Sequence, residues 1–321
     1  MSKKLIIFGP WCGEFCYELS WWIPEIRKQR NDNFADHDAF MIGFNGRKIL
    51  YQDFVDKYFP YPDDIEDTLK YPATYGEHIN GQDIIPDNLK KYVEEIAQPY
   101  IDQYEEISLY WPGTIPISKE RTFSENPYGE FKHYSASNSI LQSVRKEIQF
   151  DNDRETVAVM ARIRTRMGNT CRLDWNPDGW KEFIELLIND LKVNVVMIGI
   201  PQKEGSSAGA SLTFNDSEYV KSIVFTGEDS VERQIALLQS TKCSIYGASG
   251  TAVFPFFIKG AATFTQQTKT EGFRLKWQWE RDLTNNLEKV EIFDKYENYK
   301  IYDAPADELY NEFKNFYTKL I

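Results

Sequence analysis

The chain has 321 residues, an apolar share of 42%, an aromatic share of 15%, and 49 acidic against 37 basic side chains, for a net charge of −12. That much apolar and aromatic material excludes a disordered chain, and the length predicts two domains rather than one. The acid excess, 24 against 16 in residues 1–150 and 25 against 21 in 151–321, argues against a nucleic-acid binder, although an acidic protein can still carry a local basic groove. Cys12, Cys16, Cys171 and Cys243 form no CxxC pair and no zinc spacing, and the only histidines are His37, His78 and His133. A reducing compartment and no metal site are expected from this. The opening apolar run is of strand length, too short for a signal-peptide core or a membrane span, so a soluble, cytoplasmic protein is expected.

Residues 4–8 read as a short buried strand, broken at once by Gly9, Pro10 and Gly13. A loop entering a helix near Gly13 follows, with Pro24 kinking or ending its first segment. Glu14 and Glu18 stand four apart, so a helix that starts this early puts both on one face. A carboxylate just after the first strand of an α/β domain sits at the sheet edge where ligands bind. The same acids read equally well as a capping or solvated pair beside a tryptophan core. Residues 39–44 predict a second strand, followed by a loop with Gly46, Arg47 and Lys48. Residues 52–100 are acidic, tyrosine-rich and broken by five prolines, which predicts short helices and loops, some lining an acceptor cleft. A strand at 106–110, an irregular polar stretch at 121–133 and a helix at 139–148 lead to a polar junction at 150–153, the expected domain boundary.

The second half opens on a continuous apolar run, 157–161, of the kind buried on both faces of a parallel sheet. Arg162, Arg164, Arg166 and Arg172 come next with no acid among them. Guanidinium groups clustered past the end of a buried strand need an anion or open water, which points to a phosphate or diphosphate. Asn176, Pro177 and Asp178 supply helix-start chemistry, and Trp180, Phe183, Ile184, Leu187, Ile188 and Leu191 recur at helical spacing. Strand, basic loop, helix is the arrangement that presents charge at the carboxyl edge of an open sheet. A strand at 193–198 ends in Gly199 and Pro201, which mark that edge again. Residues 205–210 read as a mobile surface loop. After a short strand at 223–225 come Gly227, Glu228 and Asp229, the last forming a capping box with Glu232 for a helix over 231–239. The strand 243–246 runs into Gly247, Ser249, Gly250 and Thr251, where small residues let the backbone approach a ligand and a helix start aims amides and hydroxyls at an anion. Alone, such a turn is structural more often than not. Together with the arginine loop it puts two anion-binding features at one sheet edge. A last strand at 262–265, a polar stretch carrying Trp277 and Trp279, which pack an interdomain surface or contact a ligand, and an amphipathic helix over 306–320 complete the chain.

Five pieces in this order, the strand and basic loop at 157–172, W-N-P-D-G-W-x-x-F, I-G-I-P, S-x-x-R-Q-I-A-L-L-Q-S-T and S-I-Y-G-A-S-G-T, resemble the donor-binding domain of GT-B glycosyltransferases, most nearly the heptosyltransferase-like group. The resemblance covers most of 155–270 in pattern, holds no single diagnostic motif and does not reach 45–135. In the first half only KLIIFGPWCGEFCYELSWWIPEIR is similar, where the family has a glycine-rich turn, an acid and a downstream proline. The resemblance implies an α/β protein of two Rossmann-like domains facing each other across a cleft. Their expected limits are 1–150 for the acceptor domain, 151–285 for the donor domain and 286–321 for a tail whose helix returns to the N-terminal domain. It implies a nucleotide-sugar donor held by Arg162, Arg164, Arg166, Arg172, Gly199, Pro201, Glu228, Ser249, Gly250 and Thr251. The acceptor base is Glu14 or Glu18, with Glu14 preferred because it directly follows Gly13. No metal is required where arginines and a helix dipole neutralise the leaving group, and the acidic pair Asp151 and Asp153 precedes its strand, at the opposite edge. A saccharide hydroxyl is the expected acceptor, with a phage-type enzyme acting on a hydroxymethylated base in DNA as a narrower variant. A nucleotide-sugar epimerase and a binding protein without chemistry are the alternatives.

Overall fold

The structure is a computed structural model and describes residues 3–13, 15, 18–68, 87–111, 132–163, 165–166, 169–170, 175–199, 210–247, 250–266, 290–293 and 304–320. Its packing divides the chain into two compact units, Met1–Lys132 with Thr226–Val231, and His133–Phe225 with Glu232–Ile321. The division falls at 132/133, whereas the sequence reading put the junction at 150–153. It is also not a single cut, because a short segment from late in the chain belongs with the first unit. Both units are α/β, each built on a parallel sheet.

In the first unit, β1 (Lys4–Phe8), β2 (Asp38–Gly43), β3 (Lys57–Pro60) and β4 (Glu106–Tyr110) pair in the order β3-β2-β1-β4, all parallel. The apolar runs expected to be strands are strands, and β3 is an addition. Its sequence, KYFP, is an edge strand closed by a proline, a place where a missing ladder donor is tolerated. A π-helical turn, Glu18–Trp22, leads into α1 (Ile23–Asp32). Pro24 stands in the first turn of α1, where the π-helical turn ends, in keeping with a proline that ends the first helical segment. After α2 (Asp63–Thr68), α3 (Asp87–Ala97) lays Leu89 and Val93 against Leu5, Ile7, Phe40 and Ile42 to form the core on one sheet face.

The second unit begins with α4 (Asn138–Glu147) and carries six parallel strands: β5 (Thr156–Met160), β9 (Asn194–Gly199), β11 (Val220–Val224), β12 (Cys243–Tyr246), β13 (Thr263–Gln266) and β14 (Val290–Phe293). Between β5 and β9 lie three two-residue strands, β6 (Arg162–Ile163), β7 (Thr165–Arg166) and β8 (Asn169–Thr170); β6 pairs with β10 (Ala210–Ser211), and β7 with β8, both antiparallel. The main sheet runs β11-β9-β5-β12-β13-β14. Counted from its own first strand this is the order 3-2-1-4-5-6 of a dinucleotide-type fold, with the reversal between β5 and β12.

Helices α5 (Pro177–Asn189), α6 (Ser230–Ser240) and α7 (Ala306–Thr318) accompany this sheet. The start of α5 is fixed locally, since the Asn176 side chain accepts from Gly179 N at 2.6 Å and Pro177 follows as the first helical residue. Gly179 is required by packing, because a Cβ there would lie 2.5 Å from the Trp175 indole. Trp175 in turn donates its indole N–H to Ala304 O at 2.8 Å, tying the head of α5 to the approach of α7. The C-terminal helix, expected to return to the N-terminal domain, is instead part of the second unit's core. Its Phe313 ring meets Phe183 at 6.0 Å and Phe264 at 5.5 Å between centroids, so its apolar stripe is covered by α5 and the sheet.

Phe313 is fully buried between α5 and β13. Phe313→Ala should therefore lower the unfolding free energy by about 3–5 kcal/mol, read from urea denaturation. A loss below about 1 kcal/mol would mean the last helix is not docked as described.

Candidate functional site

The two features expected to bind an anion leave adjacent strands at the same sheet edge. β12 pairs in parallel with β5, Tyr246 level with Met160, so the arginine segment after β5 and the glycine segment after β12 emerge side by side at the point where the strand order reverses. The two are joined there, with Gly247 N donating to Met160 O at 3.0 Å. A Cβ at Gly247 would crowd the Trp180 ring at 3.1 Å, so the Trp180 ring packs closely on this turn. Arg162 is half-buried and sits in a two-residue antiparallel ladder with β10, and residues 165–166 pair with 169–170 in another. Arg166 lies in β7; Arg164 and Arg172 lie outside the described residues.

On the β12 side, Gly250 and Thr251 begin the expected helix, which is a 3-10 helix, Gly250–Phe257. Pro255 sits inside this stretch. Thr251 Oγ1 donates to Met160 Sδ at 3.3 Å, which seats its hydroxyl against the end of β5. Ser249 and Pro201 lie outside the described residues. Gly199 ends β9, and its missing Cβ lets Val224 approach, since an added Cβ would lie 2.5 Å from Val224 Cγ2. Glu228 is exposed and follows β11. Glu232 does not close the expected capping box with Asp229; its carboxylate accepts from Ser137 N at 2.8 Å.

Three residues to which sequence reasoning assigned no site role stand at this edge with polar atoms unpaired. Gln266, the last residue of β13, is fully buried, and neither its amide nitrogen nor its oxygen has a hydrogen-bond partner. Tyr246 is also fully buried with an unpartnered hydroxyl, and burial pushes its phenol well above the ordinary range. The indole N–H of buried Trp180 is likewise unpartnered. Because Tyr246 is level with Thr265, the next residues, Gly247 and Gln266, lie level too, and Trp180 packs on Gly247. Leaving such atoms buried and unpaired costs about 1–3 kcal/mol each, a penalty that natural cores avoid unless a ligand or water completes them. The available signal was a glutamine at the end of an expected strand.

At the corresponding edge of the first sheet, β1 exits next to the reversal between β1 and β4. Its exit is pinned, with Gly9 N donating to Tyr110 O at 2.9 Å, Trp11 N to Ile42 O at 3.3 Å, and Tyr61 Oη to Trp11 O at 2.8 Å. Glu14 lies outside the described residues, between Gly13 and Phe15. Glu18 is fully buried; it accepts from the Arg47 guanidinium and from Tyr51 Oη, the latter at 2.5 Å. Arg47 is sandwiched over Phe15 and Phe44, ring centroids 4.9 and 4.3 Å away, and burial pushes its pKa down. A carboxylate sealed in this way is an anchor for the loop after β2, not a base open to an acceptor. Arg47 was legible only as a loop residue, because its partner is 29 positions away.

Among the described residues no group of three or more His, Cys, Asp or Glu is arranged to hold a metal ion, and no helix is long and apolar enough to cross a membrane.

No protein-family model and no curated protein sequence matches the chain. Solved structures do match over nearly its whole length. Escherichia coli ADP-heptose LPS heptosyltransferase II superposes with a TM-score of 0.55 at 12% identity, covering 98% of this chain and 99% of that one. A glycosyltransferase of family 9 from Veillonella parvula DSM 2008 superposes with a TM-score of 0.52 at 10% identity, covering 99% and 97%. The fold is GT-B. In GT-B terms the 3-2-1-4-5-6 sheet is the C-terminal Rossmann-like domain and the β3-β2-β1-β4 sheet the N-terminal one.

Two stability measurements check this geometry. Glu18→Ala should destabilise the protein by about 3–5 kcal/mol, because it leaves the Arg47 charge buried without its partner. A loss under about 1 kcal/mol would show the pair to be solvated. Gln266→Leu should leave the ligand-free protein as stable or raise its stability by about 1 kcal/mol, since it removes two unpaired atoms; a clear loss would mean the amide is bonded in the folded state.

Proposed function

We propose that the chain is a glycosyltransferase that moves a sugar from a nucleotide-sugar donor to an acceptor hydroxyl. The observation that carries this reading is the emergence of the arginine segment and the glycine segment from adjacent parallel strands at the reversal point of the second sheet. A dianionic diphosphate is the ligand that suits guanidinium groups on one side and backbone amides with hydroxyls on the other. The fold shared with two glycosyltransferases supports the same class of reaction.

In the proposed reaction the acceptor oxygen forms a bond to the anomeric carbon as the bond from that carbon to the diphosphate breaks, and the diphosphate leaves with the electron pair. Arg162, Arg164, Arg166 and Arg172 neutralise the charge that builds on it, where preorganised positive groups lower the barrier most. Ser249, Gly250 and Thr251 bind the same group through amides and hydroxyls. Glu14 takes the acceptor proton, a role that falls to it because Glu18 is engaged by Arg47 and Tyr51. A saccharide acceptor is preferred to modified DNA, since residues 1–150 carry 24 acidic against 16 basic side chains. The electrostatic work is assigned to side chains and amides, so the proposed reaction proceeds without a metal.

One protein of this fold is an ADP-heptose heptosyltransferase, which makes ADP-sugars the first donors to test. A thermal-shift screen of ADP, UDP, GDP, CMP and their sugars should find at least one that raises the melting temperature, because a ligand that binds only the native state stabilises it. Protein that neither binds a nucleoside diphosphate nor hydrolyses a nucleotide sugar would overturn the reading. With the donor known, Glu14→Gln should lower turnover by about 10²–10⁴-fold with donor affinity kept. Chelation by EDTA should leave turnover unchanged, and a loss restored by added metal would reject the metal-free mechanism.

A further inference from the structure

Glu14, the proposed acceptor base, stands in the sequence between Gly13 and Phe15. Both neighbours are held. Gly13 lies against the Trp11 indole so closely that a Cβ there would come within 2.4 Å of the ring. Trp11 is fully buried, and three contacts fix it: its backbone N–H donates to Ile42 O at 3.3 Å, its carbonyl accepts Tyr61 Oη at 2.8 Å, and its ring stacks on Trp22 with centroids 5.6 Å apart. On the other side, the Phe15 ring carries the Arg47 guanidinium 4.9 Å from its centroid.

Arg47 is itself held from several directions. Phe44 lies 4.3 Å from the guanidinium, the buried Glu18 carboxylate accepts from Nη1, and Tyr51 Oη donates to the same carboxylate at 2.5 Å. The loop that delivers Arg47 is set too, with Gly46 at a φ of 78° and its N–H donating to Asn45 Oδ1 at 2.8 Å. A buried ion pair adds little net stability compared with apolar side chains of similar volume. What it adds is direction. Apolar contacts alone tolerate sliding, whereas a planar guanidinium that is hydrogen-bonded at one end and faces a ring admits few positions of that ring.

We infer that Arg47 and Phe15 are positioning residues for the acceptor base: the clamp on Phe15, with the Trp11 contact of Gly13, sets where the Glu14 side chain leaves the backbone. This role presupposes the glycosyltransferase reading and Glu14 as its base. A base must lie within hydrogen-bond reach of the proton it takes, and a displacement of about 1 Å can lower the rate about 10²-fold.

The test is a double-mutant cycle on the full chain. Phe15→Leu removes the ring and keeps an apolar side chain; Arg47→Lys keeps a charge for Glu18 and removes the planar group. Each is made alone and together with Glu14→Gln, and release of nucleoside diphosphate from ADP-, UDP- and GDP-sugars is followed with water as the acceptor. Each single variant should lower kcat about tenfold while KM for the nucleotide sugar stays unchanged, and neither should lower the residual rate of Glu14→Gln further. Should one of the two fail to fold, the other decides. The inference is overturned if the losses multiply with that of Glu14→Gln, since the clamp would then serve folding alone, or if the variants turn over as the wild type does. Wild-type rates in Glu14→Gln would instead remove Glu14 as the base, and the positioning role with it. A wild-type chain that turns over none of these sugars would reject the glycosyltransferase reading itself.

Discussion

The parallel pairing of β5 with β12 is the constraint on which the functional geometry rests. These strands are far apart in sequence, and the sheet order reverses between them. Helices on either side of a reversal diverge, so the carboxyl ends of the two strands open onto a crevice instead of being roofed by a crossover. Whatever follows each strand is delivered there. After β5 comes a run of arginines, after β12 a run of small residues, and the Gly247 to Met160 hydrogen bond fixes how closely the two segments start.

The first unit repeats the principle with different chemistry. Its reversal lies beside β1, whose exit is fastened to β2 and β4. The buried trio of Glu18, Arg47 and Tyr51 then holds the loop after β2 against the turn before α1. Such a pair contributes little to net stability compared with apolar packing, yet removing one partner is strongly unfavourable. It is suited to fixing a loop conformation, and the Phe15 and Phe44 faces around the guanidinium keep water from competing.

The two edges of the second sheet carry unpaired polar groups of different kinds. At the carboxyl edge they are Gln266, Tyr246 and Trp180 beside the arginine and glycine segments; at the amino edge they are Asn152, Asn194 and Ser240. The middle of the sheet, by contrast, buries Val157, Val159, Val195, Met197 and Ile245 fully, and its buried hydroxyls, Ser244, Thr263 and Thr265, are hydrogen-bonded. Unpaired atoms at both ends of such strands are the places where the fold departs from minimal cost, and departures of that kind concentrate at binding sites.

Much of the second unit was legible in the sequence because its signals are local. A continuous apolar run such as 157–161 is a buried strand wherever it pairs, and Asn176 with Pro177 starts a helix by bonds made within one turn. The sequence by itself therefore determined the α/β class, most strands of both sheets, the head of α5 and the chemical character of the arginine and glycine segments. It could not determine which strands are neighbours. The placement of Gln266 level with Gly247, the capture of Glu18 by Arg47 and the docking of α7 on α5 all join residues distant in the chain. Only tertiary structure decided these, because a hydrogen bond or a buried contact depends on separation in space, and no periodicity along the chain encodes it.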